Sequence, residues 1–314
     1  MRRPAFAAAL LAFVLAGCVG QGTATSPPGS PTPQFSPVPS SASPASPAHV
    51  LALADLPRID GSTANIPLIS LAIQRMTGVD EAEADNAVKT SGTPTAYRNL
   101  VDGSADLLIV YEADRAVKRE IKKSGVKLEL HPIGRDALVF FTNESNPVTS
   151  LSTAQYKAIY TGALTDWAQV GGTKAPIIAY QRPEESGSQA LLRKFVVGDA
   201  RMAKAPSERM SSEMDAIISG VASYANKGNA LGYSVYYYLA NMYAVDGIRM
   251  LGVSGVLPSS ATIADGSYPY TNDFYAVVRA DEPAGSPARK VLHWLLSKDG
   301  RQAVADAGYV PAQR

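Results

Sequence analysis

The chain has 314 residues, enough for one large or two medium lobes that each bury a core. Its 29 Lys and Arg nearly balance 28 Asp and Glu, which excludes the global basic excess that tracks a nucleic-acid backbone, so a charged ligand must be met by a local site. A single cysteine excludes an internal disulfide and a thiolate metal cluster.

Arg2 and Arg3 precede an apolar run from Ala5 to Ala16 and small residues ending at Cys18, the pattern of a secretion signal that is too short to span a membrane. Leu15, Ala16, Gly17 and Cys18 resemble the lipobox of bacterial lipoproteins. Residues 1–17 therefore read as a lipoprotein signal peptide and Cys18 as the lipidated first residue of the mature chain, anchored to a membrane outside the cytoplasm. Residues 19–48 hold eight prolines among Ser, Thr, Ala and Gly without one charge. Such a segment cannot bury enough apolar surface to fold. Residues 18–48 read as a semi-extended tether that reaches up to about 90 Å at about 3.1 Å per residue, with folded structure from His49 onward.

Short apolar runs then alternate with helical patterns, the mark of an α/β fold. In chain order the spacing predicts strands over 58–60, 105–111, 126–134, 137–143, 175–181 and 273–279, and helices over 66–77, 93–102, 113–123, 152–160, 186–196, 211–225 and 286–307. Three of the junctions are rich in hydroxyls. "IDGSTANIPL" (59 to 68) puts Ser62 and Thr63 between a strand and a helix, and "TSGTPTAY" (90 to 97) does the same with Ser91 and Thr93. In "YQRPEESGSQ" (180 to 189), Arg182 follows a strand while Ser186, Gly187 and Ser188 open a helix. Helix starts carry unpaired N–H groups and partial positive charge, so such turns suit an anion, and an arginine can fork onto an oxyanion. Ser and Thr also cap helices everywhere. Three such turns, one with arginine, point to convergence on one small oxyanion.

The order and spacing of these segments, with "TSGTPTAYRNLVDGSADLLIVYEA", "IGRDALVFFTNESNPV", "GNALGYSVYYY" and "YPYTNDFYAV", resemble the phosphate-binding proteins of ABC importers over nearly all of the folded length, within a lipoprotein branch. The resemblance implies a two-lobed periplasmic-binding-protein type II fold with two hinge crossovers. One lobe would hold residues 49–137 plus about 263–314 and the other about 138–262; the chain would leave the first near Asp136 to Phe141 and return between about 245 and 275. It implies inorganic phosphate or a similar oxyanion as ligand, an ABC transporter permease as partner, no cofactor or metal, and a monomer. The family's Arg-x-x-x-Ser-Gly-Thr segment falls on Arg182, Ser186, Gly187 and Ser188. Its first-turn threonine falls on Asn65, with Ser62 and Thr63 close enough to take that role, and its second-turn serine matches Thr93 better than Ser91. The family aspartate that accepts the proton of phosphate is replaced by Tyr111. The neighbouring Glu112 is the substitute expected here, because a carboxylate acceptor welcomes protonated phosphate and repels sulfate.

Other functions fit less well. His49, His131 and His293 are not at ligand spacing, and Ser186 lies in Glu-Ser-Gly-Ser-Gln, outside the Gly-x-Ser-x-Gly pattern. Ser124 and Lys127 imitate a penicillin-binding motif, but "KKSGVK" reads as a basic helix end with Gly125 as a left-handed cap. An enzyme is not expected. A signalling or adhesion lipoprotein with another ligand, or none, is the alternative. Trp167, Tyr160, Tyr236, Tyr237 and Trp294 read as core; Tyr97 and Tyr233 are cleft candidates.

Overall fold

The structure, a computed structural model, describes residues 49–184, 186–205, 214–222, 228–243 and 245–313. Cys18, the tether, Glu185 and the two ends of the expected 211–225 helix lie outside the described residues.

Local sequence explains the first elements. After the short strand β1 (Ile59–Gly61), a 3-10 turn over Thr63–Asn65 leads into helix α1 (Ile66–Thr77), with Pro67 in its first turn. Leu68, Ile69, Ala72, Ile73 and Met76 recur at helical spacing and are all buried. Gly78 ends the helix in the left-handed conformation, φ 76°, and a β-carbon there would collide with the His49 ring. Helix α2 (Glu81–Ala87) follows, capped by Asp80, and then α3 (Thr93–Asp102) with Pro94 in its first turn. Strand β2 (Leu107–Tyr111) is buried throughout. Leu107, Ile109 and Tyr111 pack into the main core while Leu108 and Val110 meet Ala96, Tyr97 and Leu100 of α3. Burial on both faces is what a continuous Leu-Leu-Ile-Val run supplies. Helix α4 (Arg115–Ser124) is capped by Asp114, whose Oδ1 accepts from Val117 N at 2.8 Å.

Strand β3 (Leu128–Asn143) organises the molecule. Its first part pairs antiparallel with β8 (Thr271–Arg279), from Leu128 opposite Arg279 to Ala137 opposite Thr271. From Leu138 onward it pairs instead with β6 (Ala230–Val235) on one side and, from Phe140, with β7 (Ile248–Val253) on the other. One strand thus belongs to two halves of a sheet ordered β1-β2-β8-β3-β6-β5, where β5 is Ile178–Ala179. β1 and β2 run parallel, and β2 pairs antiparallel with β8. The register slips between Pro132 and Gly134, and a β-carbon at Gly134 would strike the Phe274 ring.

The second half closes over aromatic residues. β4 (Ser150–Leu151) lies beside β7, and helix α5 (Thr153–Thr161) begins with a capping box between Ser152 and Gln155. Its Tyr156 stacks on Phe140 at 3.9 Å between ring centres, and Tyr160 meets Tyr233 edge-on at 5.6 Å. Trp167 is buried and donates its Nε1 hydrogen to Asn229 O. Helix α6 (Gly187–Leu192) passes directly into a π-turn over Arg193–Val197. Helix α7 (Met214–Ala222) packs on β6, and α8 (Ser260–Ala264) brings the chain back to the first part of β3, where Ala264 O accepts from Arg135 Nη1 at 3.2 Å.

The chain ends with α9 (Pro287–Leu296), α10 (Lys298–Asp306) and the short β9 (Val310–Pro311) on β3. The single helix expected over 286–307 is broken at Ser297, which leaves the helix at ψ 177° and caps α10 by accepting from Gly300 N. Gly300 permits the break because its missing side chain lets the new helix press on the Trp294 carbonyl. Among the described residues no helix is long and apolar enough to cross a membrane.

Candidate functional site

The turn after β1 and the turn before α3 are tied together by one carboxylate. Asp60 is buried and accepts from Gly61 N at 2.7 Å, Ser91 N at 2.8 Å, Ser91 Oγ at 2.6 Å and Asn99 Nδ2 at 2.7 Å. Gly92 N adds a bond to Gly61 O at 3.1 Å. Ser91, expected on the ligand, therefore spends its hydroxyl on Asp60. Ser62 and Thr93 differ, because both are buried and neither hydroxyl bonds to a described residue. Thr63 is exposed beside Ser62. Asn65 is wholly buried against the Tyr309 hydroxyl, and neither atom of its amide makes a well-formed hydrogen bond.

The third turn comes from the other half of the sheet. Ser186 stands at the start of α6 without capping it, and its Oγ lies 3.1 Å from Ser188 Oγ. A β-carbon built on Gly187 would stand 3.7 Å from Thr93 Oγ1, so the second and third turns face each other across the gap between the halves.

Arg182 is held by its backbone. Its N–H donates to Tyr233 Oη at 2.8 Å, and that hydroxyl donates in turn to Gln189 Oε1 of α6. Burial pushes the Tyr233 phenol up, so it stays a neutral donor. Arg182 Nε and Nη1 are shut off from solvent. Glu184 pairs with Arg193 at 2.6 Å, and that contact holds its carboxyl below the usual range. Tyr233 thus orders the arginine and the helix start together. Sequence marked it as a cleft candidate; its role in bracing the turn was invisible because it depends on pairing across β6.

Glu112 is where expectation and structure part. Its carboxylate accepts from Lys118 and, at 2.8 Å, from Lys194. Burial alone would push its pKa up, but the two lysine hydrogen bonds outweigh this and hold it below the usual range. A carboxylate already committed to two ammonium groups is poorly placed to receive a ligand proton. At the position before it, Tyr111 Oη donates to Asp136 Oδ2 at 2.6 Å. Tyr97, the other cleft candidate, is buried and donates to Tyr111 O at 3.2 Å. Among the described residues no group of His, Cys, Asp and Glu could hold a metal ion.

The Thr93 hydroxyl thus lies close to the start of α6, where the Ser186 and Ser188 hydroxyls meet. Hydroxyls and N–H groups at helix starts can take a small anion.

Relatives share this architecture. The chain is 26% identical to the phosphate-binding protein PstS of Bacillus subtilis over 254 residues, covering 81% of this chain and 79% of that protein. It is also 26% identical to the phosphate-binding protein PstS of Pseudomonas aeruginosa over 241 residues, covering 71% and 73%. The fold superimposes on an ABC-type phosphate transport receptor from Vibrio cholerae with a TM-score of 0.60 and 21% identity, over 81% of this chain and 99% of that one. The sequence profile of the PBP superfamily domain matches residues 27–299, and the chain belongs to that superfamily.

Proposed function

We propose that the protein captures a tetrahedral oxyanion, inorganic phosphate, and delivers it unchanged to the permease of an ABC importer. The observation that carries this reading is the Thr93 hydroxyl facing Gly187, with Ser186 and Ser188 beside it. Ser62, Thr93, Ser186, Gly187 and Ser188 supply donors from both halves of the sheet, and Arg182 balances the charge with a planar fork suited to two oxygens. Relatives named as phosphate-binding proteins across four fifths of the chain support the choice of phosphate. The halves act as two lobes, and β3 and the return into β8 act as the hinge, so capture is closure around the anion. Neither the donor set nor its surroundings asks for a cofactor, and one chain suffices to build the site. The signal-like start and Cys18 support an extracytoplasmic protein held by lipid, with the proline-rich segment as a spacer.

Isothermal titration calorimetry with phosphate, sulfate, molybdate and tungstate tests the ligand. Saturable binding of one phosphate per chain, tighter than sulfate, is expected. Absence of binding to all four would leave a signalling or adhesion role on the same fold. In the same preparation, the full-length protein should sediment with membranes and Cys18→Ser should become soluble with unchanged affinity; a wild-type protein already soluble would remove the anchor.

A further inference from the structure

The segment from α6 to Asp199 runs from the Ser186–Ser188 turn to contacts with the first half of the sheet. Ser186, Gly187 and Ser188 open it at the anion cradle. The π-turn over Arg193–Val197 follows without a break, and Gly198 leaves it at φ 64° and ψ −135°. π-turns are rare and gather at functional sites. Lys194 lies in this one, and its Nζ reaches out of its own half of the sheet to Glu112 Oε2 and to Asn272 Oδ1, each at 2.8 Å. Glu112 stands just past the end of β2, and Asn272 is a buried residue of β8. Glu112 and Lys194 both line an opening of about 540 Å3, with Arg115, Glu184 and Arg193 also on its wall.

A second bridge, Arg115 to Asp199, spans the same opening. Its side chains are 75% and 82% exposed, so solvent and salt screen it. The Glu112 and Lys194 side chains are 29% and 45% exposed, and the ammonium group is shared with a buried amide oxygen. Of the two bridges, the one at Lys194 has the geometry to matter. Lys118 also bonds Glu112, but it sits on the same side and holds nothing across the gap.

We propose that Lys194 is a positioning residue: it pins the far end of the segment that presents Ser186–Ser188 to the first half, and so sets how long a bound anion stays without touching it. The proposal rests on the reading of the cradle as an oxyanion site. Opening must break the Lys194 contacts, whereas first encounter with the anion need not, so the effect falls on release.

The test compares Lys194→Met and Lys194→Arg with wild type by stopped-flow release of inorganic phosphate. Lys194→Met should release phosphate about five- to tenfold faster, with the association rate little changed. Lys194→Arg, which keeps charge and donors, should return most of the way to wild type. A second arm needs no ligand. Spin labels at Lys123→Cys and Lys174→Cys in a Cys18→Ser background should show a longer distance in the Lys194→Met protein than in its parent by electron–electron resonance. An unchanged release rate, or equal acceleration by both substitutions, overturns the proposal. If wild type binds no oxyanion, the cradle reading fails by itself, and an unchanged ligand-free distance then overturns the latch as well.

Discussion

Replacing Arg182 by alanine should weaken phosphate binding by about 2 to 5 kcal/mol, from tens-fold to thousands-fold, because anion oxygens closed inside the protein would lose their only nearby full positive charge from this turn. The Arg182 backbone is held by the bond from its N to Tyr233 Oη, and Tyr233 also grips Gln189. The substitution removes the charge while leaving those backbone and aromatic contacts intact. Arg182→Lys should recover part of the loss, since an ammonium group supplies charge without the two-pronged geometry. Calorimetry of the three proteins against phosphate checks this. Equal affinities would remove Arg182 from the site.

A large effect of pH is expected from Asp136. It lies where β3 changes partners, and its carboxylate accepts from Tyr111 Oη, from Ala137 N at 2.8 Å and from Tyr237 N at 3.0 Å. Burial pushes its pKa up to about 6, and these hydrogen bonds only partly oppose the push. The folded protein therefore holds this proton more tightly than the unfolded chain does. The stabilising contribution is complete below the ordinary aspartate range and is lost as pH rises through about 6. An asparagine keeps an acceptor for the backbone and has nothing to ionise. Relative to Asp136→Asn, the wild-type protein should lose about 2 kcal/mol of stability between pH 4 and pH 7. Urea unfolding of both proteins at several pH values measures the difference. Parallel curves would show that Asp136 titrates normally.

Strong local periodicity made α1 and α3 legible residue for residue, and the three hydroxyl turns with Arg182 were legible as helix starts. What depends on pairing at a distance was not. β6 and β7 were not anticipated, because "ALGYSV" mixes Gly and Ser into a strand whose burial on both sides of Phe140 only the sheet reveals. α2 has no apolar stripe, only Ala84 buried in Glu-Ala-Glu-Ala-Asp-Asn-Ala, so hydrophobic spacing gave no sign of it. The strands expected over 126–134 and 137–143 are one, since Arg135 and Asp136 stay in the ladder opposite Asp273 and Asn272, and their side chains find partners in Asp273 and in Tyr111. In the candidate site, sequence preferred Thr93 to Ser91 at the second turn and left Ser62, Thr63 and Asn65 open at the first. It could not see that Asp60 would claim Ser91 or that two lysines would claim Glu112, one of them 82 residues away.

The central claim is that one oxyanion sits between the starts of α3 and α6, held from both halves of the sheet. A crystal structure of the protein with phosphate tests it most directly. Phosphate oxygens should lie about 2.6 to 3.1 Å from Thr93 Oγ1, from a hydroxyl of Ser186 or Ser188 and from the Arg182 guanidinium. A phosphate bound to one half alone, or held elsewhere with Thr93 and Arg182 untouched, would contradict the account.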